Sequence, residues 1–317
     1  MTNLAQTSNE RSNTPILVTG AHRSGTTWVG KMLAASKRVA YISEPLNVWH
    51  RPGVMRAPVK RWYLYICECN EAEYSTAISE TLSFHYHILR ELKSLTSVKD
   101  VLRMGRDASI FLSGKIVRRR PLLKDPFALF SATWFASRFD CQVVITVRHP
   151  AAFASSLKRL NWTFDFNDLL EQPRLMEDWL EPFRDDMHEA IQNPRDVIGQ
   201  ACLLWRMIYW VVLQYQRNLP HLLLVRHEDL SLDPIQGFSK LYEDLGLPFT
   251  SRVQQDILRS SSSDNPRELS NRAHAVRLDS QANLNNWKHR LTPEEIHRVR
   301  QLTGEVAAQY YPDEDWE

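Results

Sequence analysis

A chain of 317 residues is long enough to bury a substantial core, as one large α/β domain or two small ones. Its formal net charge of +2 argues against a nucleic-acid protein that depends on broad phosphate contact. Four cysteines, with Cys141 and Cys202 in apolar stretches and Cys67-x-Cys69 lacking a second ligand pair, suggest neither a disulfide framework nor a zinc site.

Residues 1–14 are polar and read as a disordered tail, with neither a signal peptide nor an anchor. The apolar run at 16–18 predicts a buried strand. Gly20 and Gly25 break it with a loop, and Thr26-Thr27-Trp28 opens a periodic segment through Val29, Met32 and Leu33. Strand, glycine loop and helix N-terminus together make an anion cradle. The first-turn N–H groups converge on one point, and the helix dipole favours negative charge there. The spacing from Gly20 to Gly25 is that of a nucleotide-triphosphate loop, but Thr26 stands where such a loop needs lysine. The positive charge comes earlier, at Arg23. No acidic partner for Mg²⁺ is evident after a later strand. The loop is therefore expected to hold a phosphate-linked anion without metal.

Residues 39–43 predict a second strand, ending in Glu44-Pro45. This delivers a carboxylate to the end of the sheet where open α/β proteins bind ligands. Residues 46–115 carry aromatics interspersed with charge, no clean sheet signal, and plausible helices through 75–95. They read as a substrate-side insertion whose aromatics either pack or stack on an acceptor. His85 and His87 read as a surface pair, and Arg118-Arg119-Arg120 as a solvated turn. Residues 121–124 predict a strand that brings Lys124 to the same edge; a local Lys124–Asp125 ion pair is the plainer alternative.

Residues 142–147 give the strongest strand signal, followed by Arg148-His149 and a helix with Pro150 at its first position. Arg148 at the strand end and Ser156 two turns into the helix approach one external point, a grip suited to a second phosphate. Residues 161–195 read as an amphipathic helical cap, either a lid or a cover for the core. Residues 196–218 read as a buried helix, since Gln200 and Arg206 interrupt an apolar stretch that is short for a membrane span. A further strand at 221–226 leads into His227-Glu228-Asp229-Leu230, and Asp233-Pro234 then opens a helix that Gly246 stops. Residues 250–286 read as a long polar loop before Trp287-Lys288 and a last helix with a Thr292–Glu295 capping box.

Three of these blocks carry a family resemblance. Arg23-Ser24-Gly25-Thr26-Thr27, between strand and helix, resembles the phosphosulfate loop of the sulfotransferases. Arg148 and Ser156 resemble the element by which those enzymes hold the 3′-phosphate of their donor. Residues 225–230 resemble a third block, with His227 where tyrosine often contacts adenine. Glu44-Pro45-Leu46, Lys124-Asp125-Pro126 and the C-terminal order are most similar to the carbohydrate (Golgi-type) and tyrosylprotein sulfotransferases.

The resemblance implies one P-loop-like α/β domain over residues 15–317, a central parallel sheet flanked by helices, with 50–120 and 161–195 as helical substrate-side or cap insertions. It implies 3′-phosphoadenosine 5′-phosphosulfate (PAPS) as co-substrate and no metal. The implied donor contacts are Arg23, Ser24, Gly25, Thr26, Thr27, Trp28, Arg148 and Ser156, with His227, Arg277, Ser280 and Trp287 as further contacts. Glu44 is the implied base, with Lys124 and Arg23 on the transferring group. The implied acceptor is the hydroxyl of a saccharide or glycoconjugate, with a lipid or secondary-metabolite hydroxyl as the alternative. Rivals of another class are a P-loop kinase or NTPase and a non-catalytic anion-binding protein. A small-molecule or glycan partner, no nucleic acid, no transmembrane segment and a cytoplasmic location complete the expectation.

Overall fold

The computed structural model describes residues 14–219, 221–267 and 277–316. Nearly all of the expected tail, and part of the polar stretch before Trp287, lie outside them. Five short runs form the strands β1 (Ile16–Gly20), β2 (Val39–Ser43), β3 (Arg120–Lys124), β4 (Gln142–Val147) and β5 (Leu223–Arg226). They pair in parallel as one sheet in the order β2-β3-β1-β4-β5. Every residue of β1 and β3 is buried, as a parallel strand covered on both faces requires.

Because strand side chains alternate, β1 feeds two cores. Ile16 and Val18 pack with helix α1 (Thr26–Ala34), whereas Leu17 joins the larger cluster on the other face. The chain winds from β1 out to β2, returns to β3, and then crosses β1 to reach β4 and β5. The reversal therefore falls at β1, whose exit is the glycine loop, and such a switch point is where these sheets bind ligands.

The remaining long helices are α2 (Val98–Val117), α3 (Pro150–Leu160), α4 (Val197–Asn218), α5 (Pro234–Asp244), α6 (Ser251–Ser261) and α7 (Pro293–Ala307). Helix α4 is apolar and long enough to cross a membrane by composition, but 67% of its most apolar window is inside the fold. Trp205, Tyr209 and Tyr215 are fully buried there, so it is the central core helix. Asp233 caps α5 through the N–H of Gln236, Gly246 stops it at φ 64°, and the Thr292–Glu295 capping box opens α7.

Three expectations are corrected. Residues 250–286 are not one loop: α6 forms because Thr250 caps the N–H of Val253, and Val253 and Ile257 then bury one face. Two short helices, Ser280–Leu284 and Asn286–Arg290, follow. Helix α2, twenty residues long, lies beyond the 75–95 span where helices were expected. Arg120, expected in a solvated turn, is buried at the start of β3 and donates to the carbonyl of Leu245 at 2.7 Å.

The 161–195 region seats Phe166, Leu169, Leu175, Met176 and Leu180 in the core. It is tied to the first insertion by the N–H of Tyr65 on Gln172 (2.8 Å) and by the Tyr65 hydroxyl on Asp178 (2.7 Å).

Candidate functional site

The strand order arranges the expected site residues along one edge. Ser43 pairs with Lys124, and Gly20 with Thr146, at the C-terminal ends of their strands. Read across the sheet, the exits are Glu44, Lys124, the glycine loop, Arg148 and His227. Neighbouring strands lie about 4.8 Å apart, so the span from Glu44 to Arg148 is that of an extended nucleotide.

The loop is held in shape by its own core contacts. Gly20 has φ 144°, and a Cβ there would lie 2.4 Å from the carbonyl oxygen of Thr146. The N–H of Ala21 reaches the Tyr209 hydroxyl (3.4 Å), and that of His22 the Tyr63 hydroxyl (3.0 Å). Ser24 spends its N–H on the carbonyl of Ala21 at 3.1 Å, and its hydroxyl on the same carbonyl and on Thr146. Its part is to fix the loop.

Gly25, at φ 99°, begins α1 with no side-chain cap and no acid in the first turn. The first helical bond runs from the N–H of Val29 to the carbonyl of Gly25. The N–H groups of Gly25, Thr26, Thr27 and Trp28 precede it and form the cradle. Thr27 is half-buried, whereas Thr26 and Trp28 are buried; the indole N–H of Trp28 bonds the Ser260 hydroxyl at 2.9 Å.

A cationic corner adjoins the cradle. Arg23 Nε donates to the Ser156 hydroxyl (3.2 Å), and Arg148 donates to the carbonyl oxygen of Arg23 (3.0 Å). Trp205 and Tyr209 of α4 brace the end of β4 through the carbonyls of Arg148 and Thr146. Burial, with Arg148 and Arg159 nearby, lowers the Arg23 guanidinium to about 10. Burial also lowers Arg148, with Glu228 opposing.

Arg148 Nε and His227 Nδ1 are buried without a hydrogen-bond partner among the described residues. The Arg148 nitrogen so placed calls for an anion, and the neutral imidazole for a hydrogen-bond partner. The Arg23 side chain thus stands with Arg148 and Ser156, one strand away from Lys124.

At the other end, Glu44 has φ 51° and its N–H extends the sheet onto the carbonyl of Lys124 (2.8 Å). Lys124 Nζ bonds Glu44 Oε1, and Asn47 donates to Oε2 at 2.8 Å. The lysine side chain is fully buried and the carboxylate 20% exposed, so the pair opens to solvent through Glu44. Asp125 does not pair locally with Lys124, which corrects the plainer reading of that dipeptide. It accepts the N–H groups of Leu46 (2.5 Å) and Phe127 (3.0 Å) and so pins the Glu44 loop. Burial, with Glu44 beside it, pushes Asp125 up to about 7.

Aromatic rings run along the same edge. Trp49, 80% exposed, meets Trp62 edge-on at 5.1 Å between ring centroids. Trp62 lies 4.3 Å from Phe127, and His22 lies 4.7 Å from Trp162. His227 packs over Gly25 and against the edge of Trp28 at 5.6 Å. Burial and Arg148 lower His227 to about 3, which keeps it neutral.

Arg277 is exposed. Ser280 gives its hydroxyl to the carbonyl of Ser231. Trp287 is buried and stacked on the ring of His149, the residue after Arg148 (5.2 Å, 17°). Sequence reasoning missed Tyr63, Thr146, Tyr209 and Glu228. Glu228 accepts the His149 N–H and the Tyr311 hydroxyl, and its charge acts on Arg148. Among the described residues no group of His, Cys, Asp and Glu has the arrangement of a metal site.

A family model described as "Sulfotransferase family" matches residues 15–251. A solved sulfotransferase domain from the curacin biosynthetic pathway is similar at 18% identity and TM-score 0.50, over 94% of this chain and 97% of its own. The sulfotransferase domain of the Synechococcus PCC 7002 olefin synthase matches at 18% identity and TM-score 0.46, over 94% of both chains. A mouse sulfotransferase, SULT7A1, complexed with PAP, matches at 14% identity and TM-score 0.44, over 94% of this chain and 85% of its own. No curated protein matches the sequence.

Proposed function

Given that the chain belongs to the sulfotransferase family, we propose that it moves the sulfuryl group of PAPS to an acceptor hydroxyl across the C-terminal edge of its sheet. One observation supports this above the others. Arg23, Arg148 and Ser156 meet at one strand end, Glu44 and Lys124 at another, and an uncapped helix N-terminus lies between them. A kinase or NTPase loop would need lysine at Thr26.

In this reading the 3′-phosphate is held by Arg148, Ser156 and Arg23. The 5′-phosphosulfate rests on the N–H groups of Gly25 to Trp28, and the adenine lies near His227. The donor supplies an activated sulfuryl group, which leaves 3′-phosphoadenosine 5′-phosphate (PAP) when the acceptor oxygen takes it. Glu44 receives the acceptor's proton as that oxygen commits to sulfur. Lys124 and Asn47 hold its two oxygens in place, one each. Lys124 offsets the charge that builds on the oxygens between donor and acceptor, so that cationic side chains do the work a metal does elsewhere. Holding both partners on one rigid edge supplies the rest.

For the acceptor we favour a saccharide of the carbohydrate-sulfotransferase kind. Trp49, 80% exposed on the loop that Glu44 opens, and Trp62 against it offer ring surface for the apolar face of a sugar. The same rings suit a secondary-metabolite hydroxyl, the reading that the curacin-pathway neighbour favours. A screen of hydroxyl compounds with radiolabelled PAPS, scoring the mass of labelled products, tests the proposal. Label on an acceptor in the native protein and its loss in Glu44→Gln support it; PAP binding with no transfer to any acceptor contradicts it.

A further inference from the structure

Nine of the thirteen exposed large apolar side chains among the described residues fall between residues 88 and 117. They lie on α2 and on the short helix Ile88–Lys93 before it. At 100° per residue, Val98, Leu102, Leu112 and Ile116 fall within about 80° of arc on α2. They are 78%, 70%, 62% and 71% exposed. The opposite side of the same helix buries Asp107, Phe111 and Gly114. One face is spent on the core, and a second apolar face looks out.

Cations flank that outer face. Residues 88–119 carry eight Lys and Arg against three Asp and Glu, although the whole chain has a net charge of only +2. Two of the acids are spent inside the fold. Glu91 is fully buried against Arg51 and the N–H of Gly53, and Asp100 also pairs with Arg51. Lys93, on the short helix, is exposed, and so are Lys99 and Lys115, which lie about 100° to either side of the apolar stripe on α2.

We propose that this helix pair is a docking face for an anionic lipid surface. Aliphatic side chains on one arc with lysine and arginine beside it are what a helix lying in a headgroup layer presents. Protein interfaces favour aromatics and methionine and disfavour lysine, and no exposed aromatic or methionine belongs to this stripe. A second copy would set the same basic face against itself, which like charge opposes. The undescribed segments 1–13 and 268–276 are mostly polar and hold too few apolar residues to cover it. The face is also fastened to the segment that carries Glu44. Arg51 and Gly53 lie in the loop after β2, and the N–H of His87 bonds the carbonyl of Gly53 at 2.9 Å.

Co-sedimentation with vesicles tests the idea without any sulfuryl transfer. The full chain should sediment with phosphatidylcholine vesicles containing phosphatidylglycerol, and only weakly with phosphatidylcholine alone. Lys99→Glu/Lys115→Glu should lower partitioning by about tenfold or more. Leu102→Asp/Ile116→Asp should do the same. All four side chains are exposed, so both variants should keep the native melting temperature. The proposal is overturned by absent binding, by equal binding to neutral vesicles, or by binding that neither variant weakens. It is equally overturned if sedimentation velocity shows a dimer that Leu102→Asp/Ile116→Asp dissociates, which would assign the face to a second copy.

Discussion

Replacing Gly25 by alanine should separate donor binding from folding. Gly25 sits at φ 99° and ψ 4°, beyond the ordinary left-handed region, and a side chain there costs about 1–3 kcal/mol. The added Cβ would lie 2.6 Å from Nδ1 of His227, so the imidazole must swing off the loop and away from Trp28. A ring can move; a strand cannot. At Gly20 the corresponding Cβ would meet the carbonyl oxygen of Thr146 at 2.4 Å, where β1 and β4 are in register.

Gly25→Ala should therefore lower the melting temperature by about 2–12 °C, at roughly 2–4 °C per kcal/mol lost. Its affinity for PAP should weaken by about tenfold to a hundredfold, because the cradle's N–H groups and His227 both shift. Gly20→Ala should lose about 3 kcal/mol or more of stability, at the severe end for a single substitution. Calorimetric titration with PAP and thermal unfolding measure the two effects. Undiminished PAP affinity in Gly25→Ala would refute the assignment of the cradle.

Other expectations follow from the remaining groups. Glu44→Gln should cut kcat by about 10²-fold or more and leave PAP affinity nearly unchanged; weakened affinity with intact turnover would contradict a role as base. Arg148→Ala should do the reverse, weakening PAP binding by tenfold or more with a smaller effect on saturated turnover. Transfer should persist in EDTA if Lys124 and the arginines carry the charge, and loss of activity restored by Mg²⁺ would remove that reading.

Asp125 is raised from 3.8 to about 7, so the folded chain holds its proton more tightly than the unfolded chain does. Its contribution to stability is full below about pH 4 and is lost as pH rises through about 7. Denaturation midpoints of Asp125→Asn should depend less on pH in that window than those of the native protein. His149 acts in the opposite sense: burial lowers it from 6.5 to about 3, so stability falls as pH drops between those values, and His149→Gln should flatten that arm.

The strands, and the side chains that stand at their C-terminal ends, were legible because they rest on local signals. Apolar runs that end in glycine, Glu44-Pro45, Lys124 or Arg148 follow from strand period and from the ligand end of a parallel sheet. The partners were not legible. Nothing local says that Lys124 bonds Glu44 rather than Asp125, since that pairing comes from the β2–β3 register. Arg23 sits in the glycine loop, but its guanidinium meets Ser156 because β1 and β4 pair side by side in parallel. Tyr63 and Tyr209 reach the loop from far along the chain and carry no motif.

Helix α2 was obscured because it is apolar on two faces, which blurs the 3.6-residue period. Helix α6 was obscured by its serines, although Thr250, Val253 and Ile257 held the signal. Trp287 drew attention beside a polar loop, yet its partner is the ring of His149.

The most direct test of the account is a crystal structure with PAP bound. The 3′-phosphate should lie within hydrogen-bond distance of Arg148 and the Ser156 hydroxyl, and the 5′-phosphate on the N–H groups of Gly25 to Trp28. A nucleotide found elsewhere, or one whose 3′-phosphate points away from Arg148, would contradict it.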